Sequence, residues 1–236
     1  MPNHPPVTSI RWATAHRIIS SRFPPTSLFE DIADPADWDA IALGESRTNP
    51  RNMAEIGKLA LVPPERRVAG PGASYAMAPF VHVSPLHRGR FNDGTFGVYY
   101  AAERFETALA EKMFHSARLF AASQEEPGWF SQYRVLIGSI TNEFHEIRGQ
   151  GAFFDCLAPD DYSASQQLAR SLRADQSNGV VYPSVRDREG ECVGAFWPDV
   201  IDIPVQASHL SFHFDGSRVD LFRDETENAI YRVAEA

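Results

Sequence analysis

The sequence predicts an α+β fold: one domain over residues 1–236, with mixed and antiparallel strands and flanking helices. Three observations lead there. The chain has 236 residues, 43% hydrophobic and 22% charged, enough to bury a full core in one large domain. Strand-like and helix-like stretches are interspersed without the regular alternation that builds a doubly wound sheet. No internal repeat, heptad run or low-complexity tract points to a solenoid or a coiled coil.

Taken in order, residues 1–12 are rich in Pro, Asn and His and carry no apolar stretch of the kind a secretory signal needs. Proline marks the next region, with Pro24, Pro25, Pro35, Pro50, Pro63, Pro64, Pro71, Pro79 and Pro85 close together. Each fixes φ and removes a donor. Residues 24–88 therefore read as an irregular insertion that decorates the core, with room for short helices at 35–44 and 53–59 and a turn at Pro71-Gly72. Asn92-Asp93-Gly94 is a turn signal ahead of the aromatic, β-branched run at 96–102, which reads as a strand. Leu109, Met113, Ala117 and Phe120 then recur at helical spacing, predicting a helix over 103–120. Residues 133–137 read as a buried strand. A second helix is expected over 160–174, with Leu168 and Leu172 on one face, Ser163 and Gln166 placed for a capping box, and Asn178-Gly179 as the stop. Short strands follow at 180–182 and 192–196, and residues 210–222 form a hairpin around Asp215-Gly216.

Charge and composition exclude several classes. Lys+Arg 22 against Asp+Glu 31 leaves a net charge of −9, which repels a phosphate backbone, so direct nucleic-acid binding is not expected. No apolar run reaches the roughly 18 residues of a membrane span. Cys156 and Cys192 have neither metal-ligand spacing nor a disulfide framework, as suits a reducing cytoplasm. The phosphate loop, the dinucleotide glycine fingerprint and the nucleophile elbow are all absent. His82 and His87 lie in a proline-flanked loop with no third ligand near. His209 and His213 alternate with Leu210, Phe212 and Phe214, which places them on the polar side of a strand; a metal-dependent hydrolase using them is the weaker alternative.

Three places break the local pattern. Arg90, in Gly89-Arg90-Phe91-Asn92-Asp93-Gly94, is either a surface ion-pair partner or a planar clamp for a diphosphate. Tyr100 ends a strand and is followed eleven residues later by Glu111; Tyr100 reads either as core or as a site aromatic. Glu111 lies well off the apolar stripe of its helix and could simply pair with His115 one turn on. Ser184 and Arg186, in Tyr182-Pro183-Ser184-Val185-Arg186, follow a short strand where a turn serine would be ordinary.

In order along the chain these features resemble the RES family, named for an arginine, a glutamate and a serine. The residues that carry the resemblance are Arg17 in His16-Arg17-Ile18-Ile19, Gly89-Arg90-Phe91-Asn92, Val98-Tyr99-Tyr100-Ala101-Ala102 and Glu106-Thr107-Ala108-Leu109-Ala110-Glu111. Further along come Tyr162-Ser163-Ala164-Ser165-Gln166, Tyr182-Pro183-Ser184-Val185-Arg186 and Glu191-Cys192-Val193-Gly194-Ala195-Phe196. Residues 18–89 separate the two arginines, as in the longer members, and Phe91 stands where many members have Trp.

The resemblance implies an ADP-ribosyltransferase-like fold and a toxin of a bacterial toxin–antitoxin pair. It implies NAD as substrate; no metal is expected, given the histidine and cysteine spacing above. Cleavage of the nicotinamide–ribose bond passes through an oxocarbenium-like state, which a carboxylate beside the ribose stabilises. The implied roles are Glu111 at the sugar, Tyr100 stacked on the nicotinamide, Arg17 and Arg90 on the diphosphate, and Ser184 hydrogen-bonded to the ribose or phosphate. ADP-ribose then passes to a protein target; water or phosphate as acceptor gives an NAD glycohydrolase or phosphorylase, and a non-catalytic nucleotide-binding module is the runner-up. The implied partner is a cognate antitoxin with a helix-turn-helix DNA-binding part.

Overall fold

In the computed structural model the described residues are 4–21, 34–40, 42–43, 57–86, 88–149 and 151–233. Among the described residues eight strands form one sheet: β1 (Val7–Ser20), β2 (Tyr99–Ala102), β3 (Gly128–Glu146), β4 (Gly179–Pro183), β5 (Glu191–Ala195), β6 (Val205–Phe214), β7 (Val219–Asp224) and β8 (Ala229–Arg232). Their order is β1-β2-β5-β4-β3-β6-β7-β8, and β1 also pairs with β3. That extra pairing closes β1, β2, β5, β4 and β3 into a ring, a small barrel from which β6, β7 and β8 extend as an antiparallel wing. Every pairing is antiparallel except β3 with β4. The α+β class expected from the sequence is the class observed.

Among the described residues, the helices that flank the sheet include α1 (Ala73–Val81), α2 (Phe105–Ala122) and α3 (Ser163–Ala174). Helix α2 follows its predicted period, burying Leu109, Met113 and Phe120. Phe120 stacks on Phe130 and meets Phe214 edge-on, so the helix is anchored on β3 and β6 through aromatic contacts. Around Leu210, Phe212 and Phe214 the alternation is as the sequence predicts: all three are fully buried, while His209 and His213 are half-buried. His213 is held by Asp220 at 2.6 Å.

The structure departs from the sequence expectations in several elements. Strand β1 was not legible in the sequence, yet it pairs with β3 along almost its whole length, from Val7↔His145 to Ser20↔Tyr133. The expected strand at 133–137 is the middle of a strand extending from 128 to 146. The proline-rich region does more than decorate: Trp38, Leu59, Val62, Ala73, Ala76, Met77, Phe80 and Val81 belong to the main core, and α1 carries Pro79 inside it. The short helix expected at 53–59 falls mostly outside the described residues, as does His87; the part of it that is described joins a single 3-10 turn at Leu59–Leu61. The capping box at the start of α3 does not form. The Ser163 backbone N–H donates to Asp161 Oδ1 at 2.9 Å, and Gln166 turns away to donate to the carbonyls of Gly89 and Asn92. A side chain spent on a distant turn cannot also cap its own helix.

Candidate active site

The site lies where β2, the first turns of α2 and the β4–β5 connection meet. Glu111 projects from α2 on the face opposite its apolar stripe, yet only a quarter of its side chain is exposed. The β4–β5 connection covers that face. Thr107 Oγ1 donates to Asp187 Oδ2 at 2.6 Å, tying the start of α2 to this connection. Ser184, 7% exposed, donates its hydroxyl proton to Glu111 Oε1 at 2.7 Å. Ser184 Oγ in turn accepts from the backbone N–H of Arg186 and of Asp187, both at 3.1 Å. This is a serine turn whose proton points at the carboxylate.

Ser184 thus acts as the support of Glu111. Its single proton is given to the carboxylate. Glu111 Oε2 lies 4.0 Å from His115 Nε2, so the helical pair weighed from the sequence exists alongside the Ser184 bond. Burial lowers the pKa of His115, against the opposing pull of Glu111. The imidazole is therefore neutral near pH 7 and leaves the carboxylate charge largely uncancelled.

Tyr100, on β2, accepts at its hydroxyl from the Phe91 N–H at 2.8 Å and donates to Asn92 Oδ1 at 3.1 Å. Burial raises the pKa of this phenol, so it stays protonated. The turn that holds it needs glycine: a Cβ on Gly89 would sit 2.4 Å from Asn92 Oδ1 and 2.9 Å from the Tyr100 hydroxyl. Helix α3 fixes the other side of the turn, with Ser165 Oγ donating to the Arg90 carbonyl at 2.5 Å.

Arg90, 9% exposed, donates through Nη1 to the carbonyls of Cys156 and Ala158 at 2.9 and 2.8 Å, and its guanidinium lies over the Tyr162 ring. It is not the surface ion-pair residue the sequence allowed. Arg17, on β1, donates through Nη1 to the Tyr100 carbonyl at 2.8 Å and covers the Tyr99 ring at 4.6 Å. The two guanidinium groups therefore approach the Tyr99–Tyr100 segment from separate elements, and both charges act on the Tyr100 phenol. Arg186 stacks on Phe114 at 3.4 Å and donates to the Pro159 carbonyl, a bracing position.

The five expected site residues are thus drawn toward one region, in two linked groups: Glu111 with Ser184, and Tyr100 between Arg17 and Arg90. Tyr182 lies between them: it is buried on β4 two residues before Ser184, and its ring meets that of Phe91, the neighbour of Arg90, edge-on at 4.9 Å. Two surface depressions lie elsewhere. One of about 440 Å³ is bounded by Gln132, His209, Leu210, Ser211, Glu225 and Thr226; one of about 170 Å³ lies beside Val7 and Glu143. Neither borders Glu111, and the chemistry of the residues, not the size of a hollow, picks out the site.

The sequence reading missed Lys112, the Thr107–Asp187 tie and the α3 contacts. For Lys112 a signal existed, because a helical wheel puts it about 60° from Leu109, nearer the apolar stripe than Glu111. Cys156 and Cys192 are buried free thiols, as expected. Among the described residues no group of three or more His, Cys, Asp or Glu could hold a metal ion, and no helix is long and apolar enough to cross a membrane.

Fold and site together define a class: an α+β chain whose sheet closes on itself and presents a serine-held glutamate beside an arginine-flanked tyrosine. The chain belongs to the RES domain family, which matches residues 64–215. The match begins inside the proline-rich region and leaves Arg17 outside it. An uncharacterized protein, y4oC, from Sinorhizobium fredii is 26% identical over 208 residues, covering 87% of this chain and 85% of that protein. A crystal structure of the M. tuberculosis MbcT–MbcA toxin–antitoxin complex aligns with 88% of this chain and 87% of its own, at 14% identity and a TM-score of 0.42.

Proposed function

We propose that this protein is the toxin of a toxin–antitoxin pair, that it breaks the nicotinamide–ribose bond of NAD, and that it passes ADP-ribose to a protein acceptor. Membership of the RES family supports the substrate. The observation that carries the reading is the Ser184–Glu111 bond, 2.7 Å, at the edge of the region holding Tyr100 and Arg90. It fixes one carboxylate oxygen and leaves Oε2 for a ribose.

In this reading the C1′–N bond breaks heterolytically and neutral nicotinamide leaves with the electron pair. Positive charge develops at C1′ and the ring oxygen. Glu111 stabilises that charge more than it stabilises bound NAD, which is what acceleration requires. The Tyr100 ring holds the nicotinamide by stacking, and Arg17 and Arg90 offset the diphosphate charge. The acceptor attacks C1′ and gives up a proton. A cognate antitoxin with a helix-turn-helix part covers the site and supplies the DNA contact that an acidic chain does not.

The test is release of nicotinamide from NAD by the purified protein, alongside transfer of label from NAD to proteins of a cell lysate. Glu111→Gln, which keeps the Ser184 bond, should slow release by on the order of 10²–10³. Parental rates in that variant overturn the role of Glu111. Label that stays entirely on small molecules, with nicotinamide still released, replaces protein transfer by hydrolysis or phosphorolysis.

A further inference from the structure

The wing of β6, β7 and β8 has two unlike faces. Phe212 and Phe222 stand side by side on the inner face, packed in or against the core, and Tyr231 continues their row with its ring stacked on Phe222 at 5.0 Å. Strand register gives the outer face one row of Trp129, His213, Leu221 and Arg232, and a second with Ser211, Arg223 and Ile230. The Arg223 guanidinium lies over the Trp129 ring at 4.8 Å, and His213 meets that ring edge-on at 5.3 Å. Trp129, Ile230 and Arg232 are exposed.

The acids nearest to this face are already engaged: Asp220 holds His213, and Glu225 accepts from Ser211. Among the described residues no carboxylate lies within ion-pair distance of Arg223 or Arg232. The Arg223 Nε is buried and has no hydrogen-bond partner among them. In a chain of net charge −9 the outer face is thus a local cationic surface, with the tryptophan and arginine that dominate the centres of protein interfaces.

Strand β8 is also an open edge. Among the described residues it pairs with β7 alone. The Val233 N–H donates to the Asp220 carbonyl at 2.9 Å, which fixes the alternation along the strand. Ala229 and Tyr231 bond toward β7, and the N–H and C=O groups of Ile230 and Arg232 face away from the sheet.

We propose that β8 takes up an extended segment of a protein partner as a further strand, and that this segment alternates acidic and apolar side chains. Residues opposite Ile230 and Arg232 put their side chains on the outer face. Arg232 and Arg223 lie there within two strand spacings, about 10 Å, and call for carboxylates. Residues opposite Tyr231 fall on the inner face, beside an exposed aromatic ring, and call for apolar side chains. A second copy pairing through its own β8 would bring another Arg232 and no acid. A nucleic acid has no strand edge to pair with and meets the negative charge of the whole chain. None of Arg17, Arg90, Tyr100, Glu111 and Ser184 belongs to the wing, so the inference stands apart from the cleavage of NAD.

Fluorescence anisotropy with two peptides tests it: fluorescein-Val-Glu-Val-Glu-Val-Glu-Val-amide and its counterpart with lysine in place of glutamate. The overall field of an acidic chain favours the lysine peptide, so preference for glutamate has to come from a local surface. The parent should bind the glutamate peptide roughly ten-fold tighter than the lysine one, and that affinity should fall about ten-fold between about 0.05 and 0.5 M salt. Arg232→Glu should reverse the preference. Ile230→Pro removes an N–H that faces away from β7 and leaves the β7–β8 ladder in place; it should weaken the glutamate peptide about ten-fold. Far-UV circular dichroism of both variants should match the parent.

No binding, equal binding of the two peptides, or an Arg232→Glu protein that still prefers glutamate overturns the proposal. Parental affinity in Ile230→Pro does so too, because the peptide would then lie on the face and not at the edge. A parent that sediments as a dimer lost in Ile230→Pro gives the edge to a second copy, and likewise overturns it.

Discussion

Ser184 is the residue on which the geometry of Glu111 depends. Its hydroxyl oxygen receives two backbone N–H groups and gives its one proton to the carboxylate, so removing the side chain strips three groups of a partner at once. Leaving buried polar groups unsatisfied costs about 1–3 kcal/mol each before water compensates. Ser184→Ala should therefore lower both the thermal midpoint and the rate of nicotinamide release, with kcat falling more than KM changes, because the carboxylate loses its fixed orientation while the NAD contacts of Tyr100 and the arginines stay. A variant with altered KM and parental kcat would place Ser184 on the substrate instead. The serine, glutamate and arginine were legible as residue types in a recognisable order. That the serine faces the glutamate was not, because residues 111 and 184 meet only through the fold.

Among the elements, α2 explains why Glu111 looked solvated. A helical wheel sees one covering surface, but this helix has two: the sheet beneath it and the β4–β5 connection on its far side. The Thr107–Asp187 bond clips that connection to the helix, and Gly190 makes room for the clip. A Cβ there would lie 2.3 Å from Thr107 Oγ1 and 2.7 Å from Asp187 Oδ2. Gly190→Ala should separate the two and move Ser184 away from Glu111, since the Ser184 N–H is bonded to the Gly190 carbonyl at 2.8 Å. The expected result is nicotinamide release reduced ten-fold or more, because displacements near 1 Å can cost that much at a reacting centre. Parental turnover in Gly190→Ala would show that the connection yields without disturbing the carboxylate. Sequence periodicity located α2 to within two residues at each end. It missed β1 because Thr8, Ser9, Arg11, Thr14 and Arg17 interrupt the apolar residues, and a bulge between Trp12 and Ala15 shifts their alternation partway along the strand.

At the scale of the whole molecule, ring closure by β1 is what brings Arg17 to a site otherwise built from residues 89–191, and no local pattern announces a pairing between strands more than a hundred residues apart. Helix α2 packs against this ring and holds the Lys112 ammonium over the Tyr133 ring at 5.3 Å, where burial disfavours its charge, which has a consequence for stability. In the unfolded chain a lysine keeps its proton up to about pH 10.4, whereas the folded protein releases it from Lys112 near pH 8. Between those limits the unfolded state binds more protons, so this group's contribution to stability rises with pH; below about pH 8 its full destabilising effect is present. Lys112→Met keeps an unbranched stem over Tyr133 and removes the charge. The ligand-free variant should thus melt several degrees above the parent at pH 7, where each 1 kcal/mol is worth about 2–4 °C for a chain of this size. The advantage should shrink as the pH is raised toward 10. Differential scanning calorimetry of both proteins, without nucleotide, measures it. A parent that melts at or above the variant at pH 7 would mean that Lys112 already has an anionic partner within the protein, since a charge held over an aromatic ring without one costs stability.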